Sequence, residues 1–122
     1  MSLTASILHD EEVGLLALGG ELDLETLPQV AQALTELRRT GYLRVVIDLS
    51  ALTFCDSSGL SALLRGNRAL RTDGGRLLVA GARGPVRRLM EVTDMGRVLE
   101  LEPDVGSALT TLLAAAETPR EA

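Results

Sequence analysis

The run Leu43-Arg44-Val45-Val46-Ile47-Asp48-Leu49-Ser50, and shortly after it Phe54-Cys55-Asp56-Ser57-Ser58-Gly59-Leu60, decides how this chain folds. Leu43, Val45, Val46, Ile47 and Leu49 make a β-rich apolar run, whereas Leu60, Leu63, Leu64 and Leu70 recur at helical spacing. The junction reads as strand, short loop, helix. Asp and Ser are preferred at helix starts because their oxygens accept from first-turn N–H groups that have no partner within the helix. Capping alone therefore accounts for Asp-Ser-Ser at this point. The same place suits a second use, because unpaired N–H groups and the positive end of the helix dipole accommodate an anionic group such as a phosphate on Ser57 or Ser58. That use is a phosphorylation switch and not a catalytic pocket.

Upstream, Leu3 to Leu8 and Val13 to Leu18 read as a hairpin turning at His9, Asp10, Glu11 and Glu12. Thr26 and Gln29 have the spacing of a capping box, and Pro28 suits a first helical turn. The stripe Leu27, Val30, Ala31, Leu34 and Leu37 then runs to Gly41. Downstream, Gly74 and Gly75 stop the helix that begins near Ser57, and Arg76 to Ala80 supplies another strand. Pro85, Val86, Leu89 and Met90 suggest a short third helix, and Val98, Leu99 and Leu101 a brief strand. Pro103 and Asp104 open a last helix with Val105, Ala108, Leu109, Leu112 and Leu113 on one side. This order predicts a single α/β domain over residues 1–116, with 117–122 as a short tail. Its mixed sheet has four to five mostly parallel strands and is packed with about four helices.

Composition narrows the function. At 122 residues the chain holds one core. No apolar run approaches the ~20 residues that span a bilayer, and no signal-peptide pattern opens the chain, so a cytoplasmic protein is expected. The net charge of −5 argues against nucleic acid and acidic membranes as partners, and the only aromatic residues, Tyr42 and Phe54, make no base-stacking platform. Cys55, the single cysteine, reads as a small core residue. The one histidine, His9, falls in the expected turn, and no Gly-x-Ser-x-Gly elbow is present. Gly81-Ala82-Arg83-Gly84 lacks the pattern and the lysine of a phosphate-binding loop. No catalytic, metal-binding or cofactor-binding residue is expected.

The chain resembles a stand-alone STAS domain of the bacterial anti-sigma-factor antagonist group. The resemblance rests on Gly20-Glu21-Leu22-Asp23, on Val46-Ile47-Asp48-Leu49-Ser50, and above all on Phe54-Cys55-Asp56-Ser57-Ser58-Gly59-Leu60. It implies that Ser57, directly after the aspartate, is the phosphoacceptor. It also implies partner switching. The unphosphorylated form would bind an anti-sigma factor that is also a serine kinase and so free a sigma factor. ATP-dependent phosphorylation would release it, and a metal-dependent serine phosphatase would reset it. A rival reading is a STAS interaction subunit of a stress-signalling scaffold or a transporter accessory complex. Two departures stand out. Thr93-Asp94-Met95-Gly96 replaces a frequent Thr-Gly-Leu turn, which predicts a loop of different shape, and Cys55 replaces a larger apolar residue.

With Ser57 capping the helix, a rotation of about 100° per residue sets Ser61, Leu64, Arg65 and Arg68 on its side and Leu60, Leu63, Asn67 and Leu70 on another. A phosphate at the centre of that outer face would bring charge and bulk into a docking surface. The candidate partner-binding residues are Asp23, Asp56, Ser57, Ser58, Gly59, Ser61 and Leu64. Asp56 has two readings, as helix cap and as a group that holds Ser57 in a kinase site. Asp23 reads as a turn residue or as part of the docking surface, and Asp48, within a strand, as a cross-strand or loop-satisfying carboxylate with no partner for a catalytic role. Arg65 and Arg68 read either as a solvated face or as contacts to a phosphate or an acidic partner.

Overall fold

The computed structural model describes residues 2–9 and 12–117. Five strands and four helices alternate along the chain: β1 (Leu3–His9), β2 (Gly14–Leu22), α1 (Leu27–Arg39), β3 (Arg44–Cys55), α2 (Ser57–Thr72), β4 (Arg76–Ala80), α3 (Gly84–Val92), β5 (Glu100–Glu102) and α4 (Val105–Glu117). The strands form one sheet in sequence order, with β1 antiparallel to β2 and every later neighbour parallel. Asp10 and Glu11 of the expected hairpin turn lie outside the described residues, as does the expected tail apart from residue 117, which ends α4.

The helices divide the sheet into two unequal layers. One face packs Leu16, Leu18, Val45, Ile47, Leu49, Leu77 and Val79 against Val30, Leu34 and Leu37 of α1, Leu60, Leu63 and Leu70 of α2, and Val86 and Met90 of α3. The other face offers only a narrow stripe, Val13, Val46, Leu78 and Ala80, which α4 covers with Ala108 and Leu112. That narrowness corrects one expectation. Leu113, foreseen on the buried side of the last helix, is 38% exposed, because Ala108 and Leu112, with Val105 and Leu109 partly buried beside them, already cover the stripe.

Local chemistry sets the element ends. Helices α1 and α2 both finish in Schellman turns: Gly41 and Gly74 take positive φ, Tyr42 N–H donates to Leu37 C=O, and Gly75 N–H donates to Leu70 C=O. The capping box expected at Thr26 and Gln29 is absent. Thr26 has helical backbone angles and makes no side-chain cap, because its hydroxyl donates to the Glu21 carbonyl and accepts from Asp23 N–H. The brief fifth strand begins at Glu100, later than foreseen, since a 3-10 turn over Met95–Arg97 occupies the preceding residues. Asp94 enters that turn at φ 57°, the left-handed conformation that glycine adopts without strain.

Candidate functional site

The site grows from an unexpectedly direct junction. Strand β3 continues to Cys55 and helix α2 starts at Ser57, so the foreseen loop is the single residue Asp56. Two register shifts against β2, between Ala17 and Gly19 and between Gly20 and Glu21, let β3 reach this far. Each leaves backbone groups to be satisfied locally. Asp48 Oδ1 accepts from Ser50 N–H at 2.9 Å, and the Thr53 hydroxyl donates to Gly20 C=O at 3.0 Å. Asp48 thus serves a backbone N–H two residues on in its own strand, in place of the cross-strand or loop partner expected for it.

Asp56, not Ser57, is the helix cap. Its backbone is extended, and its Oδ1 accepts from Gly59 N–H at 2.9 Å while its carbonyl takes the first helical bond from Leu60 N–H at 3.0 Å. Ser57 is consequently the first residue of α2, with an exposed side chain, and Ser58 beside it is half-buried. Asp56 N–H donates to Leu22 C=O at 3.2 Å, which ties the helix start to the end of β2. Gly59 is buried against the same strand end. A Cβ there would lie 2.8 Å from Cys55 Sγ and from Leu22 Cγ, and 3.0 Å from the Leu22 carbonyl oxygen.

The outer face of α2 matches the helical wheel. Ser57, Ser61, Arg65 and Arg68 are exposed and Leu64 is half-buried against the core edge, while Leu60, Leu63, Asn67 and Leu70 are buried. Ser57, Ser58, Ser61 and Leu64 therefore share one accessible side. Asp23 does not join them as a free carboxylate. It is 8% exposed, and its Oδ1 accepts from Thr26 N–H at 3.0 Å while its own N–H donates to the Thr26 hydroxyl at 3.0 Å, so it holds the β2–α1 turn closed. The tip of that turn carries Leu24, 72% exposed, and the neighbouring end of β3 carries half-exposed Phe54. Both were missed as candidates. The available signal was an apolar residue between the carboxylates Asp23 and Glu25 in a loop that a simple turn would leave polar.

Chemically this edge does not support nucleophilic catalysis by its thiol. Burial, reinforced by the negative charge of Asp56, pushes Cys55 up to about 11, so the sulfur stays protonated near neutrality. Among the described residues no group of three or more His, Cys, Asp or Glu side chains is arranged to hold a metal ion, and no helix is long and apolar enough to cross a membrane. The Ser57 hydroxyl stands exposed at the start of α2, beside the carboxyl ends of the parallel strands β2 and β3.

Known proteins share this architecture and its sequence. The family model described as "Mlab, STAS domain" matches residues 6–103, and the chain belongs to the STAS domain family. It is 30% identical over 113 residues to the anti-sigma F factor antagonist of Paenibacillus polymyxa, covering 92% of this chain and 97% of that one. A crystal structure of an anti-sigma factor antagonist from Mycobacterium paratuberculosis superposes with a TM-score of 0.82 at 32% identity, over 92% of this chain and 95% of the other. The fold also recurs in the phosphorylated form of the Bacillus cell fate determinant SpoIIAA, with a TM-score of 0.68, 19% identity and coverage of 89% and 99%.

Proposed function

We propose that this chain is an anti-sigma factor antagonist that works by partner switching, with Ser57 as the residue whose phosphorylation turns it off. The unphosphorylated form binds an anti-sigma factor with serine kinase activity and frees a sigma factor in the cytoplasm. The kinase transfers phosphate from ATP to Ser57, the complex dissociates, and a metal-dependent serine phosphatase restores the hydroxyl. Nucleotide and metal belong to those partners. The observation that carries this reading is the exposed Ser57 hydroxyl as first residue of α2, on a helix start held by the Asp56 cap and the buried Gly59.

The docking surface comprises Ser57, Ser58, Ser61 and Leu64, with Leu24 and Phe54 at the neighbouring strand ends. Asp23, Asp56 and Gly59 contribute by holding the backbone in place. A phosphate on Ser57 adds about −1.5 to −2 charges beside Asp56, and the helix dipole offsets part of that within the free domain by about 0.3–1 kcal/mol. The fold survives while the interface loses its fit. The test immobilises wild type, Ser57→Ala and Ser57→Glu, captures partners from the source bacterium's lysate, and incubates the purified partner with ATP before mapping phosphate by mass spectrometry. Expected is an anti-sigma factor on wild type and Ser57→Ala, little on Ser57→Glu, and phosphate on Ser57 alone. Phosphate on Ser57→Ala, or equal capture by all three, overturns the assignment and favours the scaffold or transporter-accessory reading.

A further inference from the structure

We infer that the exposed side of α2 beyond Ser61, centred on Arg65 and Arg68, docks a carboxylate-rich surface of the anti-sigma factor; this rests on the reading above and names the chemistry of the partner's face. The chain carries 17 carboxylates against 12 arginines, yet no carboxylate lies between Asp56 and Asp73. Helix α2 is the basic element of an acidic protein. Most arginines elsewhere are paired, among them Arg38 with Asp73 at 2.7 Å, Arg76 with Glu100 at 2.7 Å, Arg87 with Glu91 at 3.0 Å and Arg97 with Asp94 at 2.7 Å; Arg83 at the start of α3 and Arg88 within it are exposed without such a pair among the described residues, but stand outside the helix that begins at Ser57. Among the described residues Arg65 and Arg68 have no such partner, although both are exposed and their helix neighbours one turn away are Ser61, Leu64, Ala69 and Thr72.

Position along the helix separates Arg71 from these two. Arg71 sits in the last turn of α2, where the helix dipole favours it, and acts on Glu100. Arg65 lies at mid-helix and gains nothing from the dipole. Beside it runs a shallow groove of about 160 Å3 between α1 and α2, floored by Ala62, Gly66 and Ala69 and rimmed by Arg38 on its far side. Arg38 is already engaged by Asp73, which leaves Arg65 as the guanidinium on this groove free to receive a partner's carboxylate. The arrangement also sharpens the switch. A partner face selected for negative charge by Arg65 and Arg68 repels a phosphate two turns away at Ser57.

The test uses the purified anti-sigma factor captured above, titrated calorimetrically against full-length wild type, Arg65→Ala with Arg68→Ala, the paired change to Glu, the paired change to Lys, and Ser57→Glu. Titrations at low salt are repeated at about 0.3 M, where the Debye length falls below ~8 Å. Expected are a loss of about tenfold for the Ala pair and about a hundredfold for the Glu pair, near-wild-type affinity for the Lys pair, and a salt dependence that the Ala pair flattens. Circular dichroism confirms that each exposed-site variant folds. If Ser57→Glu abolishes binding while the Ala and Glu pairs bind like wild type, this inference falls and the switch stands. If the arginine variants lose affinity and Ser57→Glu does not, the switch falls and the acidic face stands. Arginine variants that weaken only the phosphorylated form would assign these side chains to the phosphate and overturn the inference, and a wild type that binds no anti-sigma factor overturns both.

Discussion

Gly59 shows how one missing Cβ builds this site. The helix start must press against Leu22 for Asp56 to bridge β2, β3 and α2, and at that contact even a methyl group would meet Cys55 Sγ, Leu22 Cγ and the Leu22 carbonyl. Because one obstacle is backbone, Gly59→Ala cannot be absorbed by a rotamer change. It is expected to destabilise by about 1–3 kcal/mol despite the better helix propensity of alanine. Urea unfolding measures this, and a variant as stable as wild type would show that the helix start can lift away from β2. Asp56 and Ser57 divide the labour at this spot. The aspartate spends its carboxylate on the cap and leaves the serine hydroxyl outward, so of the two cap positions the sequence offers, Asp56 and Ser57, the structure uses Asp56.

Among the elements, α2 and α4 teach opposite lessons about periodicity. Helix α2 packs on a broad core, and its wheel reads correctly: every position assigned inward is buried. Helix α4 has an equally regular stripe but meets a face only as wide as Val46, Leu78 and Ala80, and Leu113 is left outside. The two leucines side by side give a direct comparison. Leu112→Ala removes a side chain with no exposed surface and is expected to cost about 2–4 kcal/mol, whereas Leu113→Ala should stay within about 0.5 kcal/mol. Thermal unfolding of both variants checks this, and equal losses would mean that Leu113 turns inward.

Across the domain, surface ion pairs link elements that the core already joins, and they contribute to the acid limb of stability. Arg38 of α1 hydrogen-bonds Asp73 at the end of α2 and holds its carboxyl below the usual range. Arg76 of β4 does the same to Glu100 of β5, as that hydrogen bond outweighs partial burial. A carboxylate with a depressed folded value binds fewer protons folded than unfolded, so its contribution is present at neutral pH and is lost as acid protonates it in the native state. Stability should accordingly hold from neutrality down to the ordinary carboxylate range and then decline. Asp73→Asn and Glu100→Gln together should flatten that decline in urea midpoints taken as a function of pH; an unchanged slope would place the acid sensitivity elsewhere. Both pairs are largely exposed, so the effect is modest.

Much of this protein was legible from residue order. Runs of period two and 3.6, glycines past helix ends and Asp-Ser-Ser-Gly before an apolar stripe depend on neighbours within one turn or one strand, and these yielded the element order, the parallel sheet and the position of Ser57. What needed three dimensions depends on partners far apart in the chain. Thr26 abandons its capping role because Glu21 and Asp23 compete for its hydroxyl, and β3 runs on to Cys55 because two bulges against β2 carry it there. Of the two readings of Asp23, turn residue and docking group, the turn is the one its contacts display, because its carboxylate is buried onto Thr26, while Leu24 stands out. Local backbone preference is written in short-range pattern, but which polar atom wins a contested hydrogen bond, and how wide a face a helix must cover, is settled only when the sheet brings distant segments together.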